Sequence, residues 1–187
     1  EVAENSDQRR ALELLVAYYR TGQLRTFDHY NIAWVRDTDS DVDVINGFIE
    51  VYGDAAGYRG AFESVVSIRD PEASRRIATI SDHAQWFEDH ASIQDAHKKA
   101  DVKGISAKVI NVVMESGDSF PATPIGINLP NANWIRAEHG SKSVNLANIV
   151  HAYDEASKSS GMLEEFAAND EEIGLSRKWG ALAHNLH

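Results

Sequence analysis

Cysteine is absent from this 187-residue chain, which excludes a disulfide scaffold, an iron–sulfur cluster, a thiolate zinc site and a cysteine nucleophile together. Long apolar runs are missing as well: nothing approaches the roughly 20 apolar residues of a membrane-spanning helix. No signal-peptide pattern opens the chain. Cations are in short supply, with 18 Lys and Arg against 29 Asp and Glu for a formal net charge of -11. A phosphate backbone needs clustered cations to displace its counterions, so neither nucleic acid nor membrane is an expected partner. An acidic surface does suit cationic groups, a protonated amine among them, although its ordinary meaning is solubility. Missing too are a phosphate loop, a dinucleotide fingerprint, a Gly-x-Ser-x-Gly elbow and a His-Glu-x-x-His helix.

What is present is an ordinary globular composition, 43% hydrophobic and 25% charged, on a chain long enough for one sizeable core and short for two. The chain begins at Glu1 rather than Met and stops at His187 inside a helix-like pattern, which suggests a piece of something longer. Ala11, Leu12, Leu15, Val16, Tyr18 and Tyr19 recur at helical spacing after the capping candidate Ser6, with Gly22 as a stop. Leu24, Phe27, Tyr30 and Trp34 continue as a second helix, ending near the polar stretch 36–41. From Val42 the period falls to two, which puts Val42, Val44, Phe48, Glu50 and Tyr52 on one face and Ile45, Gly47, Ile49 and Val51 on the other. Gly53, Asp54, Gly57 and Gly60 make a turn, and Phe62, Val66 and Ile68 alternate against Glu63, Ser67 and Arg69 in an antiparallel partner strand.

Asp70 before Pro71 starts a helix whose stripe is Ala73, Ile77, Ile80, Ala84 and Phe87. Residues 91–104 read as a loop or frayed short helix, and Ile105 to Glu115 as a buried strand. Three of the four prolines fall in PATPIGINLPNANWIR, residues 121–136, so its backbone is expected to be extended or turning rather than helical on either side of Ile125 to Leu129. Val144 and Leu146 suggest a short strand, with Asn148 a candidate for its end. Val150 to Ala156 suggests a helix, Ser157 to Gly161 a linker, and Leu175, Trp179, Leu182 and Leu186 a final helix.

Few side chains stand out as chemical groups on pattern alone. His184 and His187 have no third ligand, and His151 with Glu155 reads first as an ordinary i,i+4 pair. Glu50 and Tyr52 share a strand face, and either an exposed face or a binding surface fits them. Asn128, Asn131 and Asn133 suit turns beside Pro130 equally well.

Three ordered segments go further. GFIEVYGDAAGYRGAFE (47–63), GINLPNANWIR (126–136) and GSKSVNLANI (140–149) resemble the dipeptidyl peptidase III family of zinc exopeptidases, and the similarity runs from LLVAYYRTG at 14–22 to the final LSRKWGALAHNLH. Ala55 departs from the family, which usually has Pro there. The resemblance implies an α+β fold: antiparallel strands of a β-rich, barrel-like lobe with flanking helices, part of a two-lobed peptidase. It divides the chain into a helical part at 1–38, β-rich substrate-binding parts at 42–69 and 105–149, and helical parts at 70–104 and 150–187. The last of these leads to a zinc helix that follows this segment in the family.

On the same resemblance the parent is a zinc dipeptidyl peptidase that removes dipeptides from the N-terminus of short oligopeptides. Zinc and the catalytic Glu are supplied beyond His187, so no catalytic residue and no metal ligand is assigned here, and the segment alone is expected to be inactive. Its expected role is to bind substrate. Glu50, Asn128 and Asn131 match the family residues that hold the free amino terminus, and Tyr52 matches a Tyr that bonds the substrate backbone. The chemistry agrees: an ammonium has three donors and no acceptor, so one carboxylate and two amide oxygens satisfy it. The cytoplasm is the expected compartment, with secretion or a periplasm left open. The rival reading is a stand-alone, non-catalytic peptide-binding module; a gene frame running past His187 into a His-Glu-x-x-Gly-His-like stretch would dismiss it.

Overall fold

The computed structural model describes residues 2–52, 55–56, 60–102, 105–121, 123–157 and 161–186, without the side chains of residues 80, 105–107, 162 and 181–186. The chain enters through two packed helices, α1 (Ser6–Thr21) and α2 (Leu24–Arg36). The cap of α1 is Asn5 rather than Ser6: its side-chain oxygen accepts from the amides of Asp7 and Gln8, and its Nδ2 donates to Asp37 and Ser40. Gly22 closes the helix in the left-handed region, φ 67°, where a side chain would be strained.

The helices lay Ala11, Leu14, Leu15, Tyr18, Tyr30, Trp34 and Val35 against Ile45, Val65 and Leu129 of the sheet, forming the main core. Five strands make that sheet: β1 (Val42–Glu50), β2 (Ala61–Arg69), β3 (Ile105–Gly117), β4 (Gly126–Leu129) and β5 (Ser141–Leu146), in the order β1-β2-β3-β5-β4. The fold is α+β as expected. The sheet is open rather than a closed barrel, and it is mixed, because β5 runs parallel to β3 while the other pairings are antiparallel. Its edges are β1 and β4.

β3 changes partner along its length. Ile105 to Ile110 pair with β5, and Ile110 onward pairs with β2. Past Ile110 the side formerly facing β5 has no strand beside it. Asn148 fills the gap with its amide: Oδ1 accepts from the Val112 amide and Nδ2 donates to the Val112 carbonyl, both at 2.9 Å. Asn148 therefore acts as a one-residue strand mimic from the start of a helix, not as part of a strand.

Proline-rich segment 121–136 is not free of helix. α3 (Pro71–Asp82) and α4 (Ala84–His90) follow β2, and α5 (Asn133–His139) follows β4. Pro130 blocks helix only at and just before itself, so α5 can start three residues later. Fully buried Ile135 stabilises it by about 2–3 kcal/mol as α5 packs on α2. Asp70 caps α3, accepting from the Ala73 amide at 2.9 Å. The single stripe from Ala73 to Phe87 is broken at His83, so one expected helix is two. α6 (Ala147–Ser157), α7 (Met162–Phe166) and α8 (Asp170–Leu186) follow β5, and Asp95–His97 is a short 3-10 turn within the stretch expected to be a loop or frayed short helix. The turn expected at Gly53, Asp54 and Gly57, the side chain of His184 and all of His187 lie outside the described residues.

Candidate functional site

A strict period of two places Glu50 on the face of Phe48, opposite Ile45. The structure corrects this. Gly47 opposes Glu63 and Phe48 opposes Phe62, but the next residue of β2, Ala61, is met by Glu50 and not by Ile49. Ile49 is the extra residue of a β-bulge, and such an insertion turns the following side chain to the other face. Glu50 therefore shares one face of the sheet with Ala61, Glu63, Val65 and Ile45. Tyr52 lies past the end of β1 in a turn and is 89% exposed, so it does not share a strand face with Glu50.

All four expected residues nonetheless meet in one pocket of about 330 Å³, lined by Glu50, Tyr52, Glu63, Asp118, Pro124, Gly126, Ile127, Asn128, Leu129 and Asn131. Residues from both edge strands of the sheet line it. Asn131 Nδ2 donates to the Ile49 carbonyl at 3.0 Å, bridging the segment after β4 to the bulge of β1. That bond also orients the amide: with its nitrogen committed to the backbone, Oδ1 is left as an acceptor. Asn128 is exposed on edge strand β4, opposite Ser143.

Two lining groups, Glu63 and Asp118, are absent from the sequence reading of the site. Glu63 looks like the polar face of β2 by alternation, yet it is only 4% exposed. Burial pushes its carboxyl up to about 8, helped by a hydrogen bond to Glu50 and by the charges of Glu50, Asp118 and Glu115. At neutral pH Glu63 thus keeps its proton while hydrogen-bonded to Glu50. The available signal was the spacing of Glu50 and Glu63 around a glycine-rich hairpin turn, informative only once the bulge is admitted. Glu115 lies behind them, with Oε2 accepting from Thr123 at 2.7 Å and Oε1 buried without a partner.

Among the described residues no Lys or Arg lines this pocket or forms an ion pair with Glu50, Glu63 or Asp118. Paired acids without a counter-ion, beside amide oxygens, suit a cation that brings its own donors. Among the described residues no group of three His, Asp or Glu side chains is placed to hold a metal ion.

A second, more apolar cavity of about 180 Å³ lies across the Asn131–Ile49 bridge, between α2 and β1, with Phe27, Tyr30, Trp34 and Ile45 in its wall. Gly47 lets α2 come this close, since a Cβ there would stand 2.8 Å from the Phe27 ring.

The chain is similar to known proteins both in sequence and in fold. Over 123 residues the chain is 32% identical to Nudix hydrolase 3 of Arabidopsis thaliana, covering 65% of this chain and 16% of that protein. It is 28% identical over 165 residues to dipeptidyl peptidase 3 of Nematostella vectensis, covering 88% of this chain and 22% of that one. The chain thus spans about a fifth of the length of these relatives. Among solved structures, DPP III from Caldithrix abyssi superposes with a TM-score of 0.80 at 27% identity, over 98% of this chain and 35% of that one. Dipeptidyl-peptidase III from Corallococcus sp. strain EGB gives 0.69 at 28% identity, over 81% and 28%. The model of peptidase family M49 matches residues 1–179, and the chain belongs to that family.

Proposed function

We propose that this chain is the substrate-binding portion of a zinc-dependent dipeptidyl peptidase, and that its concave acidic pocket holds the free amino terminus of a short oligopeptide. The observation that carries the reading is the meeting of Glu50, Tyr52, Asn128 and Asn131, far apart in sequence, around one pocket that has no described cation. In this reading ionised Glu50 neutralises the ammonium. Asn128 and Asn131 offer it amide oxygens, the latter already turned the right way by its bond to Ile49. Glu63, protonated at neutral pH and bonded to Glu50, adds no second charge beside it. Tyr52 stands at the rim, where its hydroxyl can reach the peptide backbone.

Zinc and the residue that activates water belong to the rest of the parent protein, and M49 is a metallopeptidase family. An anchor for the terminus at a set distance from the reacting centre measures a fixed length of peptide, which accounts for release of two residues at a time. The division into a helical entry at 1–38, β-rich binding parts at 42–69 and 105–149, and helical parts at 70–104 and 150–187 is proposed with it. By itself the segment binds without hydrolysing.

The test is Glu50→Gln in the full-length enzyme, assayed on a free-amine oligopeptide and its N-acetyl form. Loss of a charge-assisted bond of about 1.5–3 kcal/mol predicts KM for the free-amine peptide raised by roughly 10- to 100-fold. The acetylated peptide should change little. Unchanged kinetics on the free amine would sink the assignment.

A further inference from the structure

The clamp takes its halves from opposite edges of an open sheet: Glu50 from β1, Asn128 from β4, and Asn131 just beyond it. No backbone ladder joins those edges, so strand pairing does not set the gap between the halves. Side chains must do it. One tie is the bond from Asn131 to the Ile49 carbonyl, within the clamp itself. A second is remote from the ligand. Lys142 of β5 stands directly opposite Leu129 of β4, between the two clamp asparagines in sequence, and its side chain crosses the interior to β1. There Nζ donates to Asp43 Oδ2 at 3.0 Å and sits 4.3 Å from the centre of the Trp34 ring. Trp34 Nε1 in turn donates to Asp43 Oδ1 at 2.8 Å, which fixes the carboxylate.

Lys142 is only 1% exposed, among the most buried side chains described. Such a burial is a poor way to gain stability, because apolar replacements of similar volume usually serve as well or better. What an ion pair adds over an apolar contact is a defined length and direction. We propose that Lys142 is a positioning residue: by bonding Asp43 over the Trp34 ring it sets the separation of the β4–β5 edge from β1, and so the fit of the clamp around an N-terminal ammonium. This inference rests on the clamp reading above.

The full-length enzyme tests it with three variants. K142M/D43L removes both charges together, so that no orphaned carboxylate remains to unfold the protein. Because Trp34 Nε1 loses its acceptor, Tm should fall by a few degrees, with kcat within about twofold, while KM for a free-amine oligopeptide rises about tenfold. K142R, which retains a donor for Asp43, should recover most of that KM. Where K142M/D43L does not fold, W34F carries the test: it removes the indole donor to Asp43 Oδ1 and leaves the Val44 amide as that oxygen's donor, and it should raise KM by about threefold at unchanged kcat. Wild-type KM in the double variant, or in W34F if that is the one that folds, overturns the proposal. Glu50→Gln is assayed alongside. If it leaves KM unchanged the clamp reading itself has failed; if it raises KM and the Lys142 variants do not, only the positioning role falls.

Discussion

Replacing Glu63 by Gln should make the folded chain more stable as the pH rises. The buried carboxyl of Glu63 moves from an ordinary 4.5 to about 8, through burial first and then the bond to Glu50 and the charges of Glu50, Asp118 and Glu115. Below about pH 4.5 the group is protonated whether the chain is folded or not, and the protonated form's contribution to stability is fully present. Between 4.5 and 8 the unfolded chain gives up its proton while the folded one keeps it, so stability falls with pH across that window and levels off above it. The full drop is up to about 5 kcal/mol, from 1.36 kcal/mol per unit. Gln has nearly the same shape, still donates to Glu50 and cannot ionise. The difference in unfolding free energy between Glu63→Gln and the wild type, read from urea midpoints, should be near zero at about pH 4 and grow to several kcal/mol in favour of the variant by about pH 9. A difference that stays flat, or a variant less stable at every pH, would refute the shared-proton description of Glu50 and Glu63.

Asn131→Ala should lower stability by about 1 kcal/mol, through loss of the Ile49 tie, and also raise KM for free-amine peptides in the full enzyme. Asn128→Ala, with no such bond, should raise KM and leave the unfolding midpoint in place. Asn148→Ala should cost about 1–2 kcal/mol and speed hydrogen exchange at the Val112 amide, because both Val112 backbone groups lose their partner; unchanged exchange there would contradict the strand-mimic role.

Where local chemistry dominates, the fold is readable from sequence. Gly22 ends α1 because a left-handed residue is needed there, and Asp70 with Pro71 opens α3 because a cap and a fixed φ suit a helix start. Other features depend on partners that no local pattern reveals. Asn5 displaces Ser6 as the cap because it also bonds Asp37 and Ser40 across the turn. α5 forms after Pro130 because Ile135 finds a buried place. The parallel pairing of β3 with β5, the missing closure of the sheet and the strand-like work of Asn148 are all tertiary. Resemblance named Glu50, Tyr52, Asn128 and Asn131, which line one pocket, whereas periodicity alone put Glu50 on the wrong face. One bulge at Ile49 reverses every inference drawn past it, and it is what turns Glu50 toward Glu63.

The most direct measurement is a crystal structure of the full-length enzyme with a free-amine oligopeptide bound, using a variant slow enough to hold it. The account predicts the peptide's terminal nitrogen within hydrogen-bond reach of a Glu50 carboxylate oxygen and of Oδ1 of both Asn128 and Asn131. A terminus seated elsewhere, with these three side chains touching only solvent or the peptide's middle, would contradict it.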